Sequence, residues 1–161
     1  TCCNTAMQQR FLERAIEIGQ QAMEQGTGGP FGAVVARGDE WIAEGSNRVT
    51  STHDPTAHAE VVAIREACRT LAHHSLAGCQ VYASCEPCPM CLGAIYWARV
   101  DSLYFAASRE DAQAIGFDDA RFYEELERPA GERILPTRQA LREEARAMMQ
   151  GWLTVDPARR Y

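Results

Sequence analysis

The feature that most constrains this chain is the pairing of His58-Ala59-Glu60 with Pro87-Cys88-Pro89-Met90-Cys91 further along it. His58, Cys88 and Cys91 are donors that a tetrahedral zinc accepts, with a fourth position left for water, and Glu60 is a carboxylate able to move protons. A fold that uses all four must bring two distant segments to one point. Two thiolates and one neutral imidazole also balance the charge of the metal.

Local patterns say what carries these residues. Residues 8–25 place Phe11, Ala15, Ile18, Ala22 and Met23 close to a 3.6-residue period and run into Gly26 and Gly28-Gly29-Pro30, which predicts a helix with a hard stop. Residues 31–36 and 41–46, short runs rich in Val, Ile and Trp on either side of Gly38-Asp39, predict a β-hairpin. Asp54-Pro55 predicts a helix start, with Val61, Ile64, Cys68 and Leu71 following at helical spacing, so His58 and Glu60 fall in first turns. Residues 80–84 and 102–106 read as strands and 89–98 as a helix opened by proline; residues 137–150 favour helix again. Strands alternating with helices argue for a layered α/β sheet, with the first two strands antiparallel and the later ones parallel.

The 161 residues suit one domain, and 46% hydrophobic residues suit an ordinary globular core. No run approaches the ~20 apolar residues of a membrane span, and residues 1–9 lack the pattern of a signal peptide, so a cytoplasmic location is expected. A net charge of −6 opposes the phosphate neutralisation on which nucleic-acid binding depends. Seven cysteines, an odd number with Cys85, Cys88 and Cys91 spaced in threes, argue for reduced thiols and metal over a disulfide framework.

Rival readings stand beside these. Cys85 with Cys88, Cys91 and His58 makes a closed structural Cys₃His site without water, unless Cys85 packs inward from its strand end. Cys2, Cys3, Cys68 and Cys79 read as exposed or core thiols without chemistry. His73 and His74 read as caps on the last carbonyls of the helix before them, and His53 is assigned no metal. The Gly28-Gly29-Pro30-Phe31-Gly32 stretch lacks the Lys and Ser/Thr of a phosphate loop, and is expected to let backbone and Phe31 approach a ligand closely.

His58-Ala59-Glu60 and the Pro-flanked Cys88 and Cys91, together with residues 28–34, 54–60, 84–99, Gly116-Phe117-Asp118-Asp119 and Tyr161, resemble the cytidine deaminase superfamily and, within it, the bacterial guanine deaminases. The likeness covers nearly the whole chain. It implies a three-layer α/β/α fold with a mixed five-stranded sheet and C-terminal helices, one zinc per subunit on His58, Cys88 and Cys91, and Glu60 as the catalytic proton shuttle. It further implies Phe31, Asn47, Ala59, Asp119 and Tyr161 as residues of a purine-base pocket, and a homodimer with exchanged C-terminal segments. The implied reaction is hydrolysis of guanine to xanthine and ammonia. The alternatives are a deaminase of another aminated ring such as ammeline or cytosine, a tRNA adenosine deaminase, and a zinc-stabilised binding module without catalysis. Asp118 and Asp119 also read as caps of a helix near Ala120, Asn47 as a turn closer and Tyr161 as a loose end. Glu124 and Glu125 read as solvated helix charges.

Overall fold

A computed structural model describes residues 2–159 and 161, the side chains of residues 2–4 excepted, so the expectation for Cys2 and Cys3 lies outside the described residues. Helix α1, Cys2–Glu24, begins earlier than its apolar period predicts and ends at Gly26, whose φ of 67° suits glycine. Strands β1, Gly32–Arg37, and β2, Glu40–Ser46, form the expected hairpin, with Gly38 at φ 60° in the turn and a register shift between Val35 and Ala36. A short helix, α2, Val49–Thr52, was not anticipated.

Helix α3 spans Ala59–Thr70, not the longer segment that Asp54-Pro55 predicts. Asp54 caps no helix: its Oδ1 accepts from the backbone N–H and hydroxyl of Thr56, at 2.8 and 2.7 Å, closing a local turn. The far end of α3 is closed by backbone, with the N–H of His73 donating to the Cys68 carbonyl at 3.1 Å and Ala72 left-handed at φ 51°. The His73 ring is therefore not the cap; it accepts the Ser75 N–H at 2.9 Å and stacks on His74.

Strand β3, Gln80–Cys85, helix α4, Pro89–Trp97, and strand β4, Ser102–Ala107, make a parallel crossover unit. The sheet order is β2-β1-β3-β4, with β1 antiparallel to both neighbours. Among the described residues the sheet has four strands, so the fifth that the resemblance implies is corrected. After β4 the chain turns at once into helix α5, Arg109–Ala114, through a capping box in which the Ser108 and Asp111 side chains satisfy each other's backbone N–H groups. Helix α6 follows at Asp119–Glu127.

The sheet is covered on both faces, which is why β1 reads as a continuous apolar run with Ala33, Val34, Val35 and Ala36 all fully buried. Alternation sends Val34, Ala36 and Tyr82 to Phe11, Ala15 and Ile18 of α1. It sends Ala33, Val35 and Val81 to Ala59, Ala63, Ile64 and Ala67 of α3, with Ile95 of α4 in the same cluster. Gly45 lets β2 approach α3, because a Cβ there would meet the Ala59 carbonyl at 2.4 Å.

The chain divides into two compact units, residues 1–123 and 124–161. Within the second, the Arg133 guanidinium donates to the carbonyls of Glu125, Leu126 and Arg128 and so closes the end of α6. Helix α7, Arg142–Gln150, is shorter than the expected 137–150, because Leu141 takes a left-handed conformation at φ 55° that a helix cannot propagate. Among the described residues, no helix is long and apolar enough to cross a membrane.

Candidate metal centre and pocket

Both ligand segments meet where helices begin. His58 is the N-cap of α3 (φ −68°, ψ 155°) and Cys88 the N-cap of α4 (φ −66°, ψ 168°), and neither spends its side chain on a capping hydrogen bond. Pro89 follows Cys88 at the first helical position, where a missing N–H costs nothing, and Cys91 comes three residues after the cap on the same side of the first turn. The positive ends of two helix dipoles therefore converge on the donors, which favours thiolate over thiol.

His58 Nδ1 lies 3.6 Å from Cys88 Sγ and 3.5 Å from Cys91 Sγ. A tetrahedral zinc with Zn–S near 2.3 Å and Zn–N near 2.0 Å sets N···S edges of roughly 3.5 Å, so these three donors stand at zinc spacing. Among the described residues they are the group of His, Cys, Asp or Glu side chains close enough to hold a metal ion together. In the chain without metal, Cys88 is pulled down to about 4, first by its hydrogen bond with Cys91, and Cys91 is pushed up by the same bond. His58 is held above the ordinary imidazole range, chiefly by Cys88.

Cys85 does not join this group. At the end of β3 its buried Sγ donates to the Ser108 carbonyl at 3.4 Å, and burial, with the charges of Asp119 and Glu60 adding to it, pushes the thiol up to about 11. The closed Cys₃His arrangement is thus absent among the described residues, and three protein donors leave one tetrahedral position for water or substrate.

Phe31, Asn47, His58, Glu60, Cys88 and Asp119, all singled out in the sequence, line one pocket. Glu60, on the second residue of α3, is only 8% exposed, and burial pushes its carboxyl up to about 7 against a hydrogen bond from its own backbone. A carboxyl in that range beside a metal triad can take and return a proton near neutral pH. Asp119, the first residue of α6, is raised by burial and then by the Cys88 charge.

Asn47 is buried, and its Oδ1 accepts the N–H groups of Gly29 at 3.1 Å and Val49 at 3.2 Å. The amide oxygen is committed to backbone, leaving Nδ2 as the donating end. The Gly28 backbone packs against this residue, since a Cβ at Gly28 would meet the Asn47 carbonyl at 2.1 Å; the close approach is to Asn47. The Phe31 ring meets Phe117 edge-on at 4.7 Å.

Cys85, Glu86 and Phe117 also line the pocket and were not among the expected site residues, although the last lies inside the Gly116–Asp119 stretch that carries the resemblance. Ala59 has its side chain fully buried in the core, and its N–H belongs to the first turn of α3, where N–H groups have no partner within the helix. Tyr161 belongs to the second unit, where its ring meets Trp152 edge-on at 6.3 Å.

Comparison with known proteins agrees with this geometry. Residues 5–107 match the family model described as the cytidine and deoxycytidylate deaminase zinc-binding region. The chain is 50% identical over 142 residues to a guanine deaminase of Bacillus subtilis, covering 88% of this chain and 91% of the relative. It is 41% identical over 97 residues to a tRNA-specific adenosine deaminase of Aquifex aeolicus, covering 60% and 64% respectively. A solved structure of guanine deaminase from Bacillus subtilis superposes with a TM-score of 0.91 at 47% identity, covering 95% of this chain and 98% of that one. With the family model spanning both segments that bring together His58, Cys88 and Cys91, a group that could hold a metal ion, the chain belongs to the cytidine and deoxycytidylate deaminase zinc-binding family, with zinc as its cofactor.

Proposed function

We propose that this enzyme hydrolyses guanine to xanthine and ammonia. The observation that carries the reading is the meeting of Asn47, Glu60 and Asp119 around the His58, Cys88 and Cys91 group in a chain so similar, over most of its length, to a guanine deaminase. Zinc, when bound, supplies a Lewis acid that brings the pKa of a water into the neutral range. Glu60 takes a proton from that water as its oxygen adds to the amino-bearing ring carbon, and returns it to the amino nitrogen as the C–N bond breaks. Water and guanine thus become xanthine and ammonia.

The rest of the pocket orients the ring. Phe31 and Phe117 offer aromatic surface, Asn47 Nδ2 and the Ala59 N–H donate to ring acceptors, and Asp119 accepts from the N–H groups beside the reacting carbon. Adenine presents a different donor pattern to that carboxylate. A net charge of −6 and the shorter span of the tRNA-deaminase likeness weigh against a tRNA substrate. The same reading takes the enzyme to be a homodimer whose C-terminal segments, ending in Tyr161, are exchanged between copies.

Ammonia release by the zinc-loaded protein against guanine, ammeline, cytosine, cytidine and adenine, with Glu60→Ala as control, tests the reaction. Turnover of guanine that disappears in the control is expected. Activity confined to another ring would overturn the substrate while keeping the chemistry. Mass in solution tests the dimer, and a persistent single-chain mass rejects it.

A further inference from the structure

We infer that Tyr123 is a positioning residue, a latch that sets Asp119 against the metal centre by tying α6 to the ligand turn; the inference rests on the deamination proposed above. Asp119 and Tyr123 are four residues apart on α6 and share one face of it. Asp119 lines the pocket, and one turn later the Tyr123 hydroxyl donates to the Pro87 carbonyl at 2.8 Å. Pro87 immediately precedes the ligand Cys88. One helix face therefore carries both the carboxylate for the base and the anchor to the metal-binding turn.

A second set of contacts holds the anchor from behind. The Arg109 guanidinium lies over the Tyr123 ring at 4.8 Å, the Arg109 backbone N–H donates to Glu86 Oε2 at 3.1 Å, and the guanidinium Nε stands 3.9 Å from Glu86 Oε1. Glu86 and Pro87 are neighbours, so the circuit Glu86, Arg109, Tyr123, Pro87 closes on two successive residues of the ligand turn. Asp119 needs such an anchor because it opens its helix three residues after Gly116, which sits at φ 98°, and an unsupported first turn frays. Small errors of placement are costly in a site that works by orientation. The Tyr123 hydroxyl is engaged with Pro87 and the residue does not line the pocket, so it acts through Asp119 and not on substrate.

The test is a double-mutant cycle of Tyr123→Phe and Asp119→Asn in the zinc-loaded enzyme, read as kcat/KM for ammonia release with zinc content and melting temperature alongside. Tyr123→Phe keeps the ring under Arg109 and removes one hydrogen bond. The single variant is expected to keep its zinc and to raise KM roughly 5- to 10-fold, with kcat changed less. In the Asp119→Asn background it should change kcat/KM less than twofold. Unaltered kinetics in Tyr123→Phe, or effects that multiply fully in the double variant, would overturn the latch. If Tyr123→Phe melts early or loses zinc, Arg109→Gln replaces it in the cycle, with the same two criteria applied. The cycle is run on whichever ring the wild-type enzyme deaminates, so an error in the guanine reading shows in the wild type alone.

Discussion

His58 Nδ1 and Cys91 Sγ stand 3.5 Å apart although 33 residues separate them, because each belongs to the first turn or cap of a helix whose positive end faces the same point. The contact joins the start of α3 to the start of α4, so a metal held there would couple its binding to the packing of the two helices.

Metal content should separate the three neighbouring cysteines. Cys88→Ala and His58→Ala should lose zinc and activity together, with a lowered melting temperature, whereas Cys85→Ala should retain one zinc per chain. Zinc lost from Cys85→Ala alone would restore the closed Cys₃His arrangement.

Glu60→Gln should keep zinc and lose turnover by roughly 10²- to 10⁴-fold, the range for a positioned general acid/base. Metal analysis and single-turnover kinetics on the same preparation check this. Full activity with zinc present removes the proton-shuttle role.

The buried Glu60 carboxyl also predicts a pH dependence for the reduced, metal-stripped protein. Its pKa rises from 4.5 to about 7 on folding, so between those values the folded chain binds more protons than the unfolded one. Stability from this group is therefore lost as pH increases from 4.5 through 7, by up to about 3 kcal/mol. Glu60→Gln removes that slope, and its melting temperature should gain on wild type between pH 5 and pH 8. A constant difference across that range contradicts the assignment.

Asn47 should divide into two functions. Asn47→Ala strands the Gly29 and Val49 N–H groups and should cost about 1–3 kcal/mol in denaturant unfolding. Asn47→Asp retains an acceptor for both and should stay closer to wild-type stability, yet raise KM because the donating end is gone. Equal stability loss in both variants refutes the division.

Much of the site was legible because its geometry is local. Cys88 and Cys91 are one helical turn apart, Pro89 marks where that turn begins, and Glu60 follows His58 by two residues, so spacing alone relates these pairs. The start of α3 was misplaced because Asp54 and Pro55 carry the residues of a helix cap while Asp54 closes a turn on Thr56 instead. Glu86 and Phe117 went unseen because no periodicity marks a side chain that lines a cavity.

The sequence by itself determined the chemistry available: the donor types, the carboxylate between helix and pocket, and the apolar runs that make a covered sheet. Those follow from short-range sterics and from burial patterns that repeat every two or 3.6 residues. Only the tertiary structure decided which thiols face His58, since Cys85 has the same spacing as its neighbours but stands on a strand that aims it at Ser108. It also decided that the Asn47 oxygen is spent on backbone and that Tyr123 reaches Pro87. Such relationships depend on how whole elements pack, and residues 36 positions apart in the chain have no local rule that links them.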